Sequence, residues 1–279
     1  MAAKGKSPVR VFFKWITGLL FFVFFSATVI VYSLYSLTRE DTMVPLAGRV
    51  MALVSTSFPG TSARHLTAAL RRSPSRSITP FTGIDSTITL RETEGRSDEE
   101  IKVLVFSKLA AVLYRDGVDK FFERLQEPVI VTALKPLKPV LGYATADFSG
   151  TLRAFLMIPV AVSSLLLLLL ILLSYRFGKM ASPGVVFFFS GLLGIGIFSW
   201  FSGALRTLSV ILPGQYRDNV NSFITGNASG IIGNIGGSFF HHFLIVFYTG
   251  CALLAGAFFG KFLYNIITGK SESENELRL

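Results

Sequence analysis

The chain has 279 residues, of which 51% are hydrophobic and 16% charged, against roughly 25% charged in an ordinary soluble domain. Its formal net charge is +10, but the Lys and Arg residues are scattered or sit beside apolar runs. No RNP-like, zinc-finger or helix-turn-helix spacing accompanies them, which excludes nucleic acid as the expected partner. Cys251 is the only cysteine, so intramolecular disulfides are excluded too, and its place in an apolar run favours packing over a reactive thiol.

The apolar residues gather in four long runs. They predict a predominantly α-helical integral membrane protein, with four transmembrane helices and a mainly helical or α+β external domain between spans 1 and 2. Residues 1–14 form a basic segment carrying Lys4, Lys6, Arg10 and Lys14 with no acid. Residues 15–37 form the first span, read as a retained signal anchor because a cleavable signal has an apolar segment of only about 7–15 residues. About twenty helical residues at about 1.5 Å each match a hydrocarbon core of about 30 Å.

Residues 38–153 are enough for one small external domain. Pro45 suits the first turn of a helix carrying Leu46, Val50 and Leu53, and a second helix is expected over 62–72, followed by an exposed loop over 71–80. Ser97-Asp98-Glu99-Glu100 fits a capping box, with acids at the positive end of a helix. Ile101, Leu104, Val105, Leu109, Val112 and Leu113 follow as one apolar stripe, closed by Asp116-Gly117. A short helix over 118–126 shows Phe121, Phe122 and Leu125 to a core. Segments 86–91 and 129–133 read as short strands, and Lys135-Pro136-Leu137-Lys138-Pro139 as a stiff extended connector. Lys135 and Lys138 are placed to touch anionic head groups, at about 1 kcal/mol each close to a surface.

Residues 154–174 form the second span, 175–184 a short turn with Arg176 and Lys179, and 185–205 the third span, with a possible extension to 212 before Pro213 and Gly214. Residues 206–238 form a glycine-rich loop, either amphipathic on the membrane surface or re-entrant, in which Phe223 and Ile231 are expected to meet membrane or partner. Residues 239–260 form the fourth span and 261–279 a tail with Lys261, Lys270 and Arg278. The flanking cations place both termini on the cytoplasmic side of a plasma or bacterial or archaeal cytoplasmic membrane.

Small residues recur at helix-packing spacing: Ser190 with Gly194, Ser199 with Gly203, and Gly256 with Gly260. Gly191, Gly194, Gly203, Gly256 and Gly260 are therefore helix-packing candidates, either within the chain or with other subunits. His241 and His242 are adjacent, so on a helix they point about 100° apart rather than forming a one-face metal pair. They read as interfacial anchors or partner contacts.

No HExxH, GxSxG, Walker or Rossmann pattern is present, and neither a cofactor nor a metal is expected. The middle thirds of the four runs lack Asp, Glu, Lys and Arg, which argues against a proton-coupled carrier. Ser163, Ser164, Ser190 and Ser199 either line a path or bond back to their own helices. The four-span plan is similar to that of tetraspanins and claudins in topology alone, because the external segment has neither cysteine nor tryptophan. The expected function is a non-enzymatic membrane scaffold or accessory subunit that meets membrane lipids and other membrane subunits or further copies of itself. The alternatives are an oligomeric channel or transporter using 214–238, and a membrane-embedded enzyme built on His65, His241 or His242.

Overall fold

A computed structural model describes residues 8–54, 63–84, 86–211 and 227–267. Helix α1 (Pro8–Thr38) is followed after Arg39 by α2 (Glu40–Val54) and then by α3 (Ala63–Arg72). A two-residue antiparallel ladder joins β1 (Ser77–Ile78) to β2 (Ile88–Thr89), pairing Ser77 with Thr89 and Ile78 with Ile88. Helices α4 (Leu90–Thr93), α5 (Asp98–Asp116), α6 (Val118–Arg124), α7 (Pro128–Leu134) and α8 (Lys138–Leu141) come next. The chain ends in three long helices, α9 (Ala146–Leu173), α10 (Gly178–Ile211) and α11 (Asn227–Ile267). The fold is mostly helical. Among the described residues four helical stretches, Pro8–Thr38, Ile130–Leu173, Gly178–Ile197 and Phe239–Ile267, are long and apolar enough to cross a membrane, which marks an integral membrane protein.

Contacts divide the described residues into two units. One is drawn from the described residues of 8–33, 155–210 and 236–267, the other from those of 34–154, 211 and 227–235. In the first, the long helices turn large apolar side chains such as Phe12, Leu19, Leu165, Leu172 and Ile197 outward. Such a surface suits hydrocarbon rather than water.

The second unit is organised around α5. Its start is fixed by reciprocal bonds: Glu100 N donates to Ser97 Oγ at 3.4 Å, and Ser97 N donates to the Glu100 carboxylate at 2.8 Å. The Ser97 bonds hold the Glu100 carboxyl below its ordinary value. Gly117, at φ +82°, ends the helix. Between these ends Phe106, Leu109 and Leu113 are fully buried, with Val105, Ala110 and Val112 beside them. Burial therefore extends around more of the helix than one stripe, because α2, α3 and α6 all pack on it. Phe81, Ile84, Ile88, Phe121 and Leu134 complete the core, each large side chain contributing about 1.5–3 kcal/mol by leaving water. Gly48 brings α2 onto α5, since a Cβ there would stand 2.6 Å from Ser107 Cα.

Several sequence expectations are corrected in this unit. Residues 129–133 are not a strand but lie inside α7, with Pro128 at its first position, where a missing N–H is harmless. Lys135–Leu137 is a 3-10 turn running into α8, so the expected extended connector is helical, with each proline again near the start of a turn. Of 86–91, only Ile88–Thr89 is strand. Pro45 lies inside α2, which opens earlier at Glu40 and Asp41. The long helices begin before the apolar runs they contain: α9 at Ala146, α10 at Gly178 and α11 at Asn227.

Candidate functional site

Several glycines of the third and fourth spans lie in close contact with the neighbouring helix. Along α10 and α11, which run antiparallel, Gly184 lies against Leu253 and Leu254, Phe188 against Gly250, Gly191 against Phe247 and Gly194 against Phe243. Further along the seam Met180 reaches Gly256, and Phe177, just before α10, reaches Gly260. The helices thus approach closely at these glycines, with backbone facing Gly191 and Gly250 and side chains facing Gly184 and Gly194. Lipid gives helices no hydrophobic reason to associate, so close van der Waals contact of this kind carries much of the attraction. The surroundings of Gly203 lie outside the described residues. Gly184 and Gly250 were not singled out from the sequence, since neither belongs to the small-residue pairs read there.

Polar contacts join α1 to each of the other three membrane helices. Ser26 Oγ donates to Ser190 Oγ on α10 at 3.0 Å, both buried. Thr28 donates to the Phe24 carbonyl at 2.8 Å and so accepts from Ser163 on α9, 3.1 Å away. Ser33 donates to the Val29 carbonyl at 2.8 Å, which leaves its oxygen to accept from Nδ1 of His242 on α11 at 3.1 Å. That arrangement assigns the Nδ1 proton of His242, and Tyr32 flanks the imidazole edge-on at 5.0 Å between ring centres. Ser164 bonds back to its own helix through the Val160 carbonyl. His242 is half-buried in this contact, while His241 is exposed.

The basic flanks collect at one end of the bundle. Arg10 stacks 3.8 Å over Tyr175, and Arg176 donates to the Tyr264 hydroxyl at 3.3 Å. Phe177 packs edge-on against Tyr264 at 5.9 Å. The ends of α1, α9, α10 and α11 that carry Arg10, Arg176, Lys179 and Lys261 are thereby held together.

In the second unit Lys138 pairs with Asp119 at 2.9 Å and sits over the Phe122 ring, while Lys135 is exposed. Beside them Val140 and Tyr143 are 63% and 58% exposed. Tyr143 packs edge-on against Phe148. Of the glycine-rich region, residues 212–226, including Phe223, lie outside the described residues. Residues 227–238 form the first turns of α11. Ile231 belongs to that helix, and its side-chain surroundings also lie outside the described residues, as do those of His65. Among the described residues no group of three or more His, Cys, Asp or Glu gathers in metal-binding proximity.

No protein-family model matches the chain, and neither the curated proteins nor the solved structures give a match.

Proposed function

We propose that the chain is a non-enzymatic scaffold or accessory subunit of a membrane assembly, with the unit between its first two spans contacting a partner. The observation that carries this reading is that unit's construction. It has its own hydrophobic core around α5, yet leaves Val140 and Tyr143 exposed on one helical turn, three residues apart. An apolar residue and a tyrosine side by side, rimmed by lysine, is the composition of a contact patch rather than of a solvated face. Helix seams and polar pairs hold the membrane bundle together, which leaves the inter-span unit as the part suited to recognition.

The cluster of Arg10, Arg176, Lys179 and Lys261 at one end of the bundle supports both termini on the cytoplasmic side and the inter-span unit on the other. The membrane is then a plasma membrane or a bacterial or archaeal cytoplasmic membrane.

Purification of the full chain in native nanodiscs, with a photo-crosslinker at position 143 and mass analysis of every adduct, tests the reading. A stoichiometric protein partner or a second copy crosslinked at this position is the expected result. A chain that travels alone and crosslinks only to lipid overturns it.

A further inference from the structure

Where α9 turns into α10, Arg176 stands at φ +39°, a backbone conformation that residues with a side chain rarely adopt. Two bonds close the turn that holds it there: Gly178 N donates to the Tyr175 carbonyl at 2.7 Å and Lys179 N to the Arg176 carbonyl at 3.1 Å. The guanidinium is set 5.3 Å over the Tyr264 ring of α11, beside its bond to the Tyr264 hydroxyl. Lys261 precedes Tyr264 by three residues and so shares its side of α11. Lys179 follows Arg176 by three residues, in the first turn of α10. Phe177 against Gly260 ties the turn to the same stretch of α11. Arg176, Lys179 and Lys261, from two distant parts of the chain, thus come together around one Arg–Tyr contact, and all three are exposed.

Their charge is not neutralised within the membrane unit. The described residues of that unit include no Asp or Glu, and none of the ion pairs among the described residues involves Arg176, Lys179 or Lys261. Arg10, at the same end, is engaged differently, since its guanidinium bonds the Leu172 and Leu173 carbonyls that finish α9. The flanking segments 1–7 and 268–279 bring Lys4, Lys6, Lys270 and Arg278 against Glu272, Glu274 and Glu276, so together they add no net negative charge. A counter-charge therefore has to come from outside the unit. Tyr175 and Tyr264 at this end are 56% and 38% exposed, and tyrosine is a residue type that marks the level of the lipid head groups.

We propose that Arg176, Lys179 and Lys261 bind the phosphate of an anionic phospholipid in the adjacent leaflet. Depth selects this occupant. The three cations stand where apolar helices leave the hydrocarbon, a level already filled by lipid phosphates, whereas an acidic protein segment would have to displace head groups to reach them. Each cation at this level strengthens attachment to an anionic lipid by about fivefold. Arg176 adds orientation to charge: one of its five N–H groups is spent on Tyr264, and that bond holds the plane of the others in place for a phosphate oxygen. The site does not depend on what the inter-span unit contacts.

Full-length protein in non-ionic detergent, titrated with phosphatidylglycerol and phosphatidylcholine of matched chains and read by native mass spectrometry, tests the assignment. Phosphatidylglycerol is expected to be retained more tightly than phosphatidylcholine, by about fivefold or more. Lys179→Gln and Lys261→Gln should each remove about fivefold of that preference and leave phosphatidylcholine unchanged. Arg176→Gly should lower the preference by a similar factor with the melting midpoint unchanged or raised, because glycine adopts φ +39° without strain. Arg72→Gln removes an exposed cation from α3 in the other unit and should change neither lipid. Equal retention of the two lipids by the unaltered chain overturns the proposal, as does a loss with Arg72→Gln equal to that with the lysine variants, which would indicate diffuse surface charge. Displacement of phosphatidylglycerol by inorganic phosphate at equal concentration also overturns it, because the site would then take a free anion rather than a lipid. If Arg176→Gly does not fold, the comparison of Lys179→Gln and Lys261→Gln with Arg72→Gln decides alone.

Discussion

Gly191 on α10 lies against the backbone of Phe247 on α11, so closely that a Cβ would stand 2.5 Å from the Phe247 nitrogen. Gly250 meets the Phe188 backbone in the same manner from the opposite helix. Backbone cannot swing aside as a flexible side chain can. Gly191→Ala and Gly250→Ala are each expected to lower stability by about 1–3 kcal/mol through overpacking. Gly196→Ala, with nothing within 4 Å of the added Cβ, should leave the unfolding midpoint unchanged or slightly raised. Denaturant unfolding of the detergent-solubilised chain, followed by circular dichroism, compares the three. Equal midpoints would show that the seam is not close-packed.

The buried Ser26–Ser190 bond should couple the two positions energetically. Hydrogen bonds between membrane helices average about 0.6 kcal/mol and reach at most about 1.7 kcal/mol. A double-mutant cycle of Ser26→Ala and Ser190→Ala is expected to return a coupling in that range. Strict additivity of the two single losses would mean that the contact carries no energy of its own.

Acid should weaken the second unit through Glu92. Its carboxylate accepts from Lys108 Nζ at 2.8 Å and from the Thr89 backbone N–H at 2.9 Å. The Lys108 bond first, and the Thr89 bond after it, hold its pKa below the ordinary 4.5. A lowered folded value means that the group stabilises the fold above pH 4.5 and that this contribution disappears as pH falls from there through the folded value. The pair is about one-third exposed, which limits its worth to about 0.2–1 kcal/mol. Thermal melts of the full chain and of Lys108→Met, taken from neutral pH downward, should differ at neutrality and converge below 4.5. A gap independent of pH would remove Glu92 as its source.

Two positions that set the local chain path should respond differently to alanine. Ser97→Ala removes the cap at the start of α5 and should cost about 1 kcal/mol. Gly83 has φ +84°, and a Cβ there would run into the Arg124 carbonyl oxygen, so Gly83→Ala should cost about 1–3 kcal/mol. Hydrogen exchange separates them. The cap variant should speed exchange at the Glu100 amide, and the glycine variant at the Gln126 amide, which bonds to the Thr82 carbonyl. Unchanged exchange at both amides would count against these roles.

Long apolar runs made the four spans legible, because no other local structure needs so many apolar residues in succession. The start of α5 was legible for the same kind of reason: Ser97 and Glu100 at that spacing have a definite bonding pattern. The stretch after Pro128 was misread because Val129, Ile130 and Val131 are β-branched and favour strand. The signal that wins is Ile130 and Leu134, four residues apart and both buried, which is helix period. The glycines of α10 were visible, but their opposing residues depend on the register of an antiparallel partner far away in sequence, and no motif within one helix encodes that. The same holds for the partners of Ser26, Thr28 and Ser33.

The polar contacts of α1 also impose an order on biosynthesis. His242, the partner of Ser33, is added 209 residues later, a delay of roughly 10–40 s at about 5–20 residues per second. Thr28 and Ser33 meanwhile have their own-helix carbonyls, Phe24 and Val29, as acceptors, so the first helix enters the bilayer with those two hydroxyls already quenched. A ribosome that stops before the last helix would release a chain whose α10 glycines lack their α11 neighbours. Such a truncated product is the form that membrane quality control should recognise and remove.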